Sequence, residues 1–274
     1  MVWAENNQPQ RQHKLSAKLR KLKFTAIIAL ALLSTGVSAY AISSDEVYQQ
    51  LAEKAAAGDS VAFNALENSA DQGDAYAQYE LGVIYRDGQG VAQDYDQAVS
   101  WYRKAADQGN ADAQNSLGVM YANGQGVPKD YAQAASWYRK AADQGDAFAQ
   151  SSLGIMYHDG QGVPKDYAQA ASWYRKAADQ GNNAAAGAQD LLGLMYEYGQ
   201  GVAQDAVIAY ALYNLSLSAS NDQSQDNPST LNRQIISEHM TESQIEEGQT
   251  LTRHMKSEGV LKALEQWELE LHSD

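Results

Sequence analysis

The sequence predicts an all-α chain folded as a solenoid, a row of antiparallel helix pairs stacked side by side. Three observations carry that expectation. The block WYRKAADQG begins at Trp101, Trp137 and Trp173, a spacing of 36 residues, and its tail ADQG stands once more at residues 70–73. A fixed period of roughly 20–50 residues marks units that bury their apolar faces only against their neighbours. Each unit also holds two helix-length stretches with stop and start signals placed back to back, which forces a tight reversal. Finally, the chain has no cysteine, so packing alone must hold it, and thiolate chemistry and cysteine-based metal sites are excluded.

Residues 1–41 come first. The stretch 1–23 carries Arg11, Lys14, Lys18, Arg20, Lys21 and Lys23 against a single Glu5, and an uncharged apolar stretch follows at 24–36. Small residues then offer an exit after Ala39 or after Ala41. That order is expected of a secretory signal peptide. Retention as an anchor is the other reading, although the continuous apolar core at 26–33 is short against the ~20 residues of a spanning helix. Cleavage takes the net charge from −14 to −19. A surface of that sign repels nucleic acid and anionic lipid, and it serves either solubility or a basic partner. The expected product is a monomer in the periplasm or medium of a Gram-negative bacterium, with no membrane contact beyond the signal peptide.

Residues 42–73 read as N-terminal capping helices, a shortened pair at 44–57 and 59–70. Residues 74–219 hold four repeats: 74–109, 110–145, 146–181, and a divergent fourth from 182 with a three-residue insertion around 183–186 that regains register at Gly193. In each repeat, helix A opens on an Asp or Asn suited to N-capping and closes at G-Q-G, where Gly88 and Gly90 can take positive φ. Helix B opens on Asp94, Asp130 or Asp166 and closes at Gly109, Gly145 or Gly181. Ala75, Ala77, Gln78, Leu81, Gly82 and Tyr85 form one stripe of helix A; Ala98, Trp101, Tyr102, Ala105 and Ala106 form one stripe of helix B. The mid-helix Gly82, Gly118 and Gly154 each cost about 1 kcal/mol against Ala, which points to close approach of another helix. The tryptophans are expected to be the large core knobs. Residues 220–274 are a loop with Pro228 and C-terminal capping helices at 230–239 and 241–271, the last opened by a capping box at Thr241 and Gln244 and interrupted by Gly248 or Gly259.

The patterns A-x-A-Q-x-x-L-G-x-x-Y, G-x-G and A-x-x-W-Y-x-K-A-A-x-x-G resemble the Sel-one-like repeat (SLR) family, a relative of the tetratricopeptide repeat. They run from Ala75, Ala77, Gln78, Leu81, Gly82 and Tyr85 through Gly88 and Gly90 to Ala98, Trp101, Tyr102, Lys104, Ala105, Ala106 and Gly109, and recur in the next two units. The resemblance implies a right-handed superhelix that binds proteins, with helix A lining the concave side. It also implies roles as an exported adaptor or scaffold, or as a periplasmic immunity protein against a secreted toxin such as a phospholipase effector. A cysteine-rich branch is associated with penicillin binding and β-lactamase activity; the absence of cysteine here leaves that hydrolase reading without a basis.

No catalytic, cofactor or metal site emerges. Past residue 41 the histidines are His158, His239, His254 and His272, none at paired zinc spacing. The G-Q-G-V-P-K loop lacks the Gly-Lys-Ser/Thr ending of a phosphate cradle, and no serine stands in G-x-S-x-G. The expected activity is therefore binding of a protein, with no cofactor. Comparison of the repeats marks where. Tyr76 becomes Asp112, Phe148 and Gly187; Tyr79 becomes Asn115, Ser151 and Asp190; Arg86 becomes Ala122, His158 and Glu197. These positions share one helix face, so Tyr76, Tyr79, Arg86, Asp112, Asn115, Phe148, Ser151, His158 and Glu197 are the candidate partner contacts. Drift at solvent-exposed positions would produce the same variation.

Overall fold

The computed structural model describes residues 44–181, 183–220, 224 and 226–271. The signal-peptide segment 1–41 lies outside them. The described residues form thirteen helices and no strand, in two compact units divided between Gln93 and Asp94. The division falls inside the first repeat, between its two helices. Its described N-terminal unit contains α1 (Ser44–Ala56), α2 (Ser60–Asp71) and α3 (Ala75–Asp87), each packed on the other two. The second unit contains the rest: α4 (Tyr95–Asp107), α5 (Ala111–Asn123), α6 (Tyr131–Asp143), α7 (Ala147–Asp159), α8 (Tyr167–Ala178), α9 (Asn183–Tyr198) and α10 (Ala206–Ala219). It closes with α11 (Pro228–Ser237), α12 (Glu242–Glu258) and α13 (Val260–Leu271).

The helix ends lie where side-chain chemistry puts them. The Asp146 carboxylate accepts from Ala149 N at 2.6 Å, and Asp130 accepts from Ala132 N and Gln133 N at 2.9 and 3.0 Å. Each such cap is worth about 1 kcal/mol by satisfying donors that the first turn cannot pair internally. At the other end of α5, Gly124 takes φ 71° and returns its N–H to Met120 O at 2.9 Å. Only a residue without Cβ adopts that backbone cheaply. The insertion in the fourth repeat is absorbed as added helix: α9 has 16 residues where α5 and α7 have 13.

Packing within a pair differs from the expectation in one respect. The residue seated on the mid-helix glycine is the tyrosine that follows the tryptophan, or Leu212 in the fourth repeat. A Cβ on Gly118 would lie 2.5 Å from the Tyr138 ring, on Gly154 2.5 Å from Tyr174, and on Gly193 2.6 Å from Tyr213. The bare glycine thus lets a whole ring lie against backbone. Burial in turn pushes the Tyr138 hydroxyl up to about 12 and raises Tyr174 and Tyr213 as well. The tryptophan packs beside it as expected, with Trp101 and Trp173 buried and Trp137 half-buried. Its ring carries the lysine three residues on, with Nζ at 3.5, 3.8 and 4.0 Å from the centroid for Trp101–Lys104, Trp137–Lys140 and Trp173–Lys176. Trp173 joins a buried cluster with Tyr138, Leu153 and Met156, so the ring is core on one side and roofed by a cation on the other.

Two polar ladders tie neighbouring helices together, and neither was expected. The A-helix glutamine reaches back to a carbonyl at the end of the preceding helix B: Gln114 Nε2 to Ala106 O at 3.1 Å and Gln150 Nε2 to Ala142 O at 3.1 Å in the second unit, and Gln78 Nε2 to Ala70 O at 2.8 Å in the first. The B-helix arginine donates to the tyrosine of the next helix A, Arg103 to Tyr121 Oη at 2.7 Å, and Arg139 to Tyr157 and Arg175 to Tyr196 likewise.

The end of the row is closed by α11–α13. Leu251, Met255, Val260 and Leu264 join one buried cluster with Tyr174, Leu192, Met195 and Tyr213. Pro228 opens α11 at its first turn instead of sitting in the preceding loop, because the missing N–H is unneeded there. The expected long helix 241–271 is two helices. Gly259, at φ 94°, separates them, while Gly248 stays helical with its bare Cα against Tyr210.

Candidate interaction surface

In the second unit the A helices form a layer of their own. Helix α5 touches α7 and α7 touches α9, whereas successive B helices do not come comparably close. The A helices therefore line one side of the row, where α5 and α7 expose a face.

Those faces are partly apolar. Phe148 is 62 % exposed, Ile155 41 % and Val119 38 %. Phe148 and Ile155 stand seven residues apart, on one stripe of α7, with Asp159 at its end. Val119 and Ile155 are equivalent positions of successive repeats and were missed in the sequence. They repeat as apolar residues (Val83, Val119, Ile155, Leu194), so variation between repeats does not mark them. The usable signal was a persistent apolar residue directly opposite the buried stripe.

The predicted contacts divide into two groups. Asp112 and Phe148 face solvent. Crowding by neighbouring atoms, reinforced by the Asp146 charge, raises the Asp112 carboxyl above its ordinary range. The others in the second unit are half-buried, and most are engaged within the protein. Ser151 Oγ donates to Ala147 O at 2.9 Å; Glu197 accepts from Tyr213 Oη at 2.7 Å. His158 lies 2.7 Å from Asp159 Oδ1 and 3.2 Å from Gln200 Oε1, with its ring edge-on to Tyr167. Asn115 is half-buried with Oδ1 lacking a partner among the described residues. In the first unit, Tyr76 is exposed, Tyr79 half-buried, and Arg86 is held by Asp87 through contacts of 2.6 and 2.8 Å.

The fourth A helix is already covered. Helix α11 packs on α9 and α10, and Asn232 Nδ2 donates to Asp190 Oδ1 at 3.4 Å. Asp190 is the equivalent of Tyr79, Asn115 and Ser151, so the chain lays one of its own helices over this face at the end of the row. Among the described residues there is no cluster of three or more potential metal ligands and no helix long and apolar enough to cross a membrane.

A family model for the Sel1 repeat matches residues 75–110, 111–146, 147–182 and 186–221. The chain is similar to a Sel1 repeat protein of known structure from Oxalobacter formigenes, at 32 % identity and TM-score 0.56, covering 73 % of each chain. It is also similar to c5321, a protective antigen of uropathogenic Escherichia coli strains displaying an SLR fold, at 32 % identity and TM-score 0.47, covering 82 % of this chain but 56 % of that one. A third similarity is to the immunity protein Pa5087 of Pseudomonas aeruginosa, at 20 % identity and TM-score 0.35, over 65 % of this chain and 83 % of the other. No curated protein matches the sequence.

Proposed function

The chain belongs to the Sel1 repeat family, whose members act as protein–protein interaction scaffolds, and from that premise we propose that it is an exported adaptor holding a protein partner on its A-helix face. The observation that carries the reading is the exposed stripe of Phe148 and Ile155 on α7, with Val119 on α5, on the A-helix side of the row. Adjoining exposed apolar side chains, unlike single scattered ones, mark interaction sites, and aromatic anchors dominate interfaces. Asp112 and Asp159 border the stripe, so the matching partner surface presents apolar side chains flanked by lysine or arginine. Asp112, Asn115, Ser151, His158 and Glu197 form its polar surround in the second unit; Tyr76, Tyr79 and Arg86 are the equivalent candidate contacts of the first unit, taken by itself. Export is supported by the basic stretch, apolar stretch and small-residue exit of residues 1–41.

The test is affinity capture from an envelope fraction with wild type and a Phe148→Asp, Ile155→Asp variant. A partner retained by wild type and lost from the variant, with helicity unchanged, supports the reading. Equal capture refutes the face. N-terminal sequencing of the periplasmic protein should begin at residue 40 or 42; a chain starting at residue 1 refutes export by cleavage.

A further inference from the structure

One rung of the glutamine ladder is missing. In the second and third repeats the A-helix glutamine accepts as well as donates: Gln144 Nε2 donates to Gln114 Oε1 at 2.7 Å, and Gln180 Nε2 to Gln150 Oε1 at 2.9 Å. In the fourth repeat Gln189 still donates, to Ala178 O at 3.0 Å. Tyr174 and Tyr213, seated on the glycines of successive pairs, are 39 residues apart, and the same offset from Gln180 falls on Ala219. The donor side chain is therefore gone. Gln189 Oε1, on a residue 1 % exposed, has no hydrogen-bond partner among the described residues. Beside it lies a cavity of about 410 Å³, lined by Gln189 and Ala219 together with Leu215, Met255, Asp179 and Lys256.

We propose that this cavity binds a primary carboxamide, the side chain of a glutamine or asparagine, with its N–H donated to Gln189 Oε1. The chain itself supplies the precedent, since a glutamine carboxamide fills the same place in two preceding repeats. Leu215 and Met255 are suited to the methylene stem, and the unpaired acceptor to the amide. A carboxylate of the same shape sets acceptor against acceptor and loses roughly tenfold or more in affinity. The carboxamide has two sources, the free amino acid or a residue within a peptide. Asp179 and Lys256 on the lining supply an anion and a cation for the charged groups of free glutamine, which a blocked peptide lacks.

The experiment is calorimetric titration of the full chain with L-glutamine, L-glutamate, acetyl-Gly-Gln-Gly-N-methylamide and its Glu counterpart. Saturable binding of either glutamine form, at least tenfold tighter than its Glu counterpart, is expected; which form binds identifies the source. Ala219→Gln restores the missing donor within the chain, so it should abolish that binding and raise the melting temperature. Absence of saturable binding by both glutamine forms, or equal affinity for glutamate, overturns the proposal. So does an Ala219→Gln protein that melts no lower than wild type and binds glutamine equally well. The glutamine-against-glutamate comparison is made on the wild-type chain and decides the matter whether or not the variant folds.

Discussion

Two glycines in the A helices should respond oppositely to one substitution. Gly154 lies in α7 under the Tyr174 ring; a Cβ there would stand 2.5 Å from Cε1 and 2.6 Å from Cδ1. Carbon atoms pack at about 3.5–4.0 Å, so the ring must retreat by about 1 Å. Tyr174 is 2 % exposed and belongs to a close-packed cluster, so it has little room to do so. Gly187 in α9 is helical and exposed, and a methyl group added there would meet nothing within 4 Å. Replacing a helical glycine with alanine gains about 1 kcal/mol from propensity at either site. That gain is common to both variants and cancels in their comparison. The difference isolates the overlap, about 1–3 kcal/mol for overpacking. Gly187→Ala should therefore raise the urea midpoint, and Gly154→Ala should leave it unchanged or lower it. Adding Tyr174→Leu to Gly154→Ala should shrink the alanine penalty, as a double-mutant cycle measures. Equal shifts for the two single variants would refute the account of glycine as a seat for the ring.

Three further outcomes are expected. Gln150→Leu keeps the side-chain volume and removes two hydrogen bonds worth about 0.5–1.5 kcal/mol each; Ala142 O keeps Gly145 N at 3.0 Å and Gln180 keeps Gly145 O at 2.6 Å, so the loss should stay near about 1–2 kcal/mol, and a neutral result refutes the ladder. Asp179 Oδ1 accepts from Leu261 N at 3.0 Å, an N-terminal cap for α13 supplied from α8; Asp179→Ala should cost about 1 kcal/mol and speed amide exchange across 260–271 first, and uniform exchange would count against it. Burial raises the Asp190 carboxyl above its ordinary range, partly opposed by hydrogen bonds from Ser229 and Asn232. The folded chain thus binds that proton more tightly than the unfolded chain does. The carboxylate costs stability at neutral pH, and the cost fades as pH falls through the folded value toward the unfolded ~3.9. Asp190→Asn should compare more favourably with wild type at about pH 7 than at about pH 4; urea midpoints that keep a constant gap would refute this.

The candidate surface was only half legible in the sequence. Variation between repeats picked out Phe148 and Asp112, which are exposed, but also Ser151, His158 and Glu197, which are spent on internal hydrogen bonds. Variation records what is not required for stacking; it does not distinguish a solvent-facing position from one whose partner also changed. Val119 and Ile155 escaped for the opposite reason: they repeat, and repetition resembles scaffold.

Period, caps and breakers are local, and those the sequence determined by itself. An Asp before an apolar stripe, a glycine pair after it and a 36-residue spacing specify antiparallel pairs, because each signal acts within a few residues of its own position. Tertiary structure decided whatever depends on which side chain arrives from another helix. It put tyrosine rather than tryptophan on the glycine and made the recurring glutamine a ladder. Only in three dimensions does Ala219 register as a missing rung beside Gln189. The reason is physical: a helix sequence specifies its own faces, but the partner on each face is selected by packing, which only the assembled row defines.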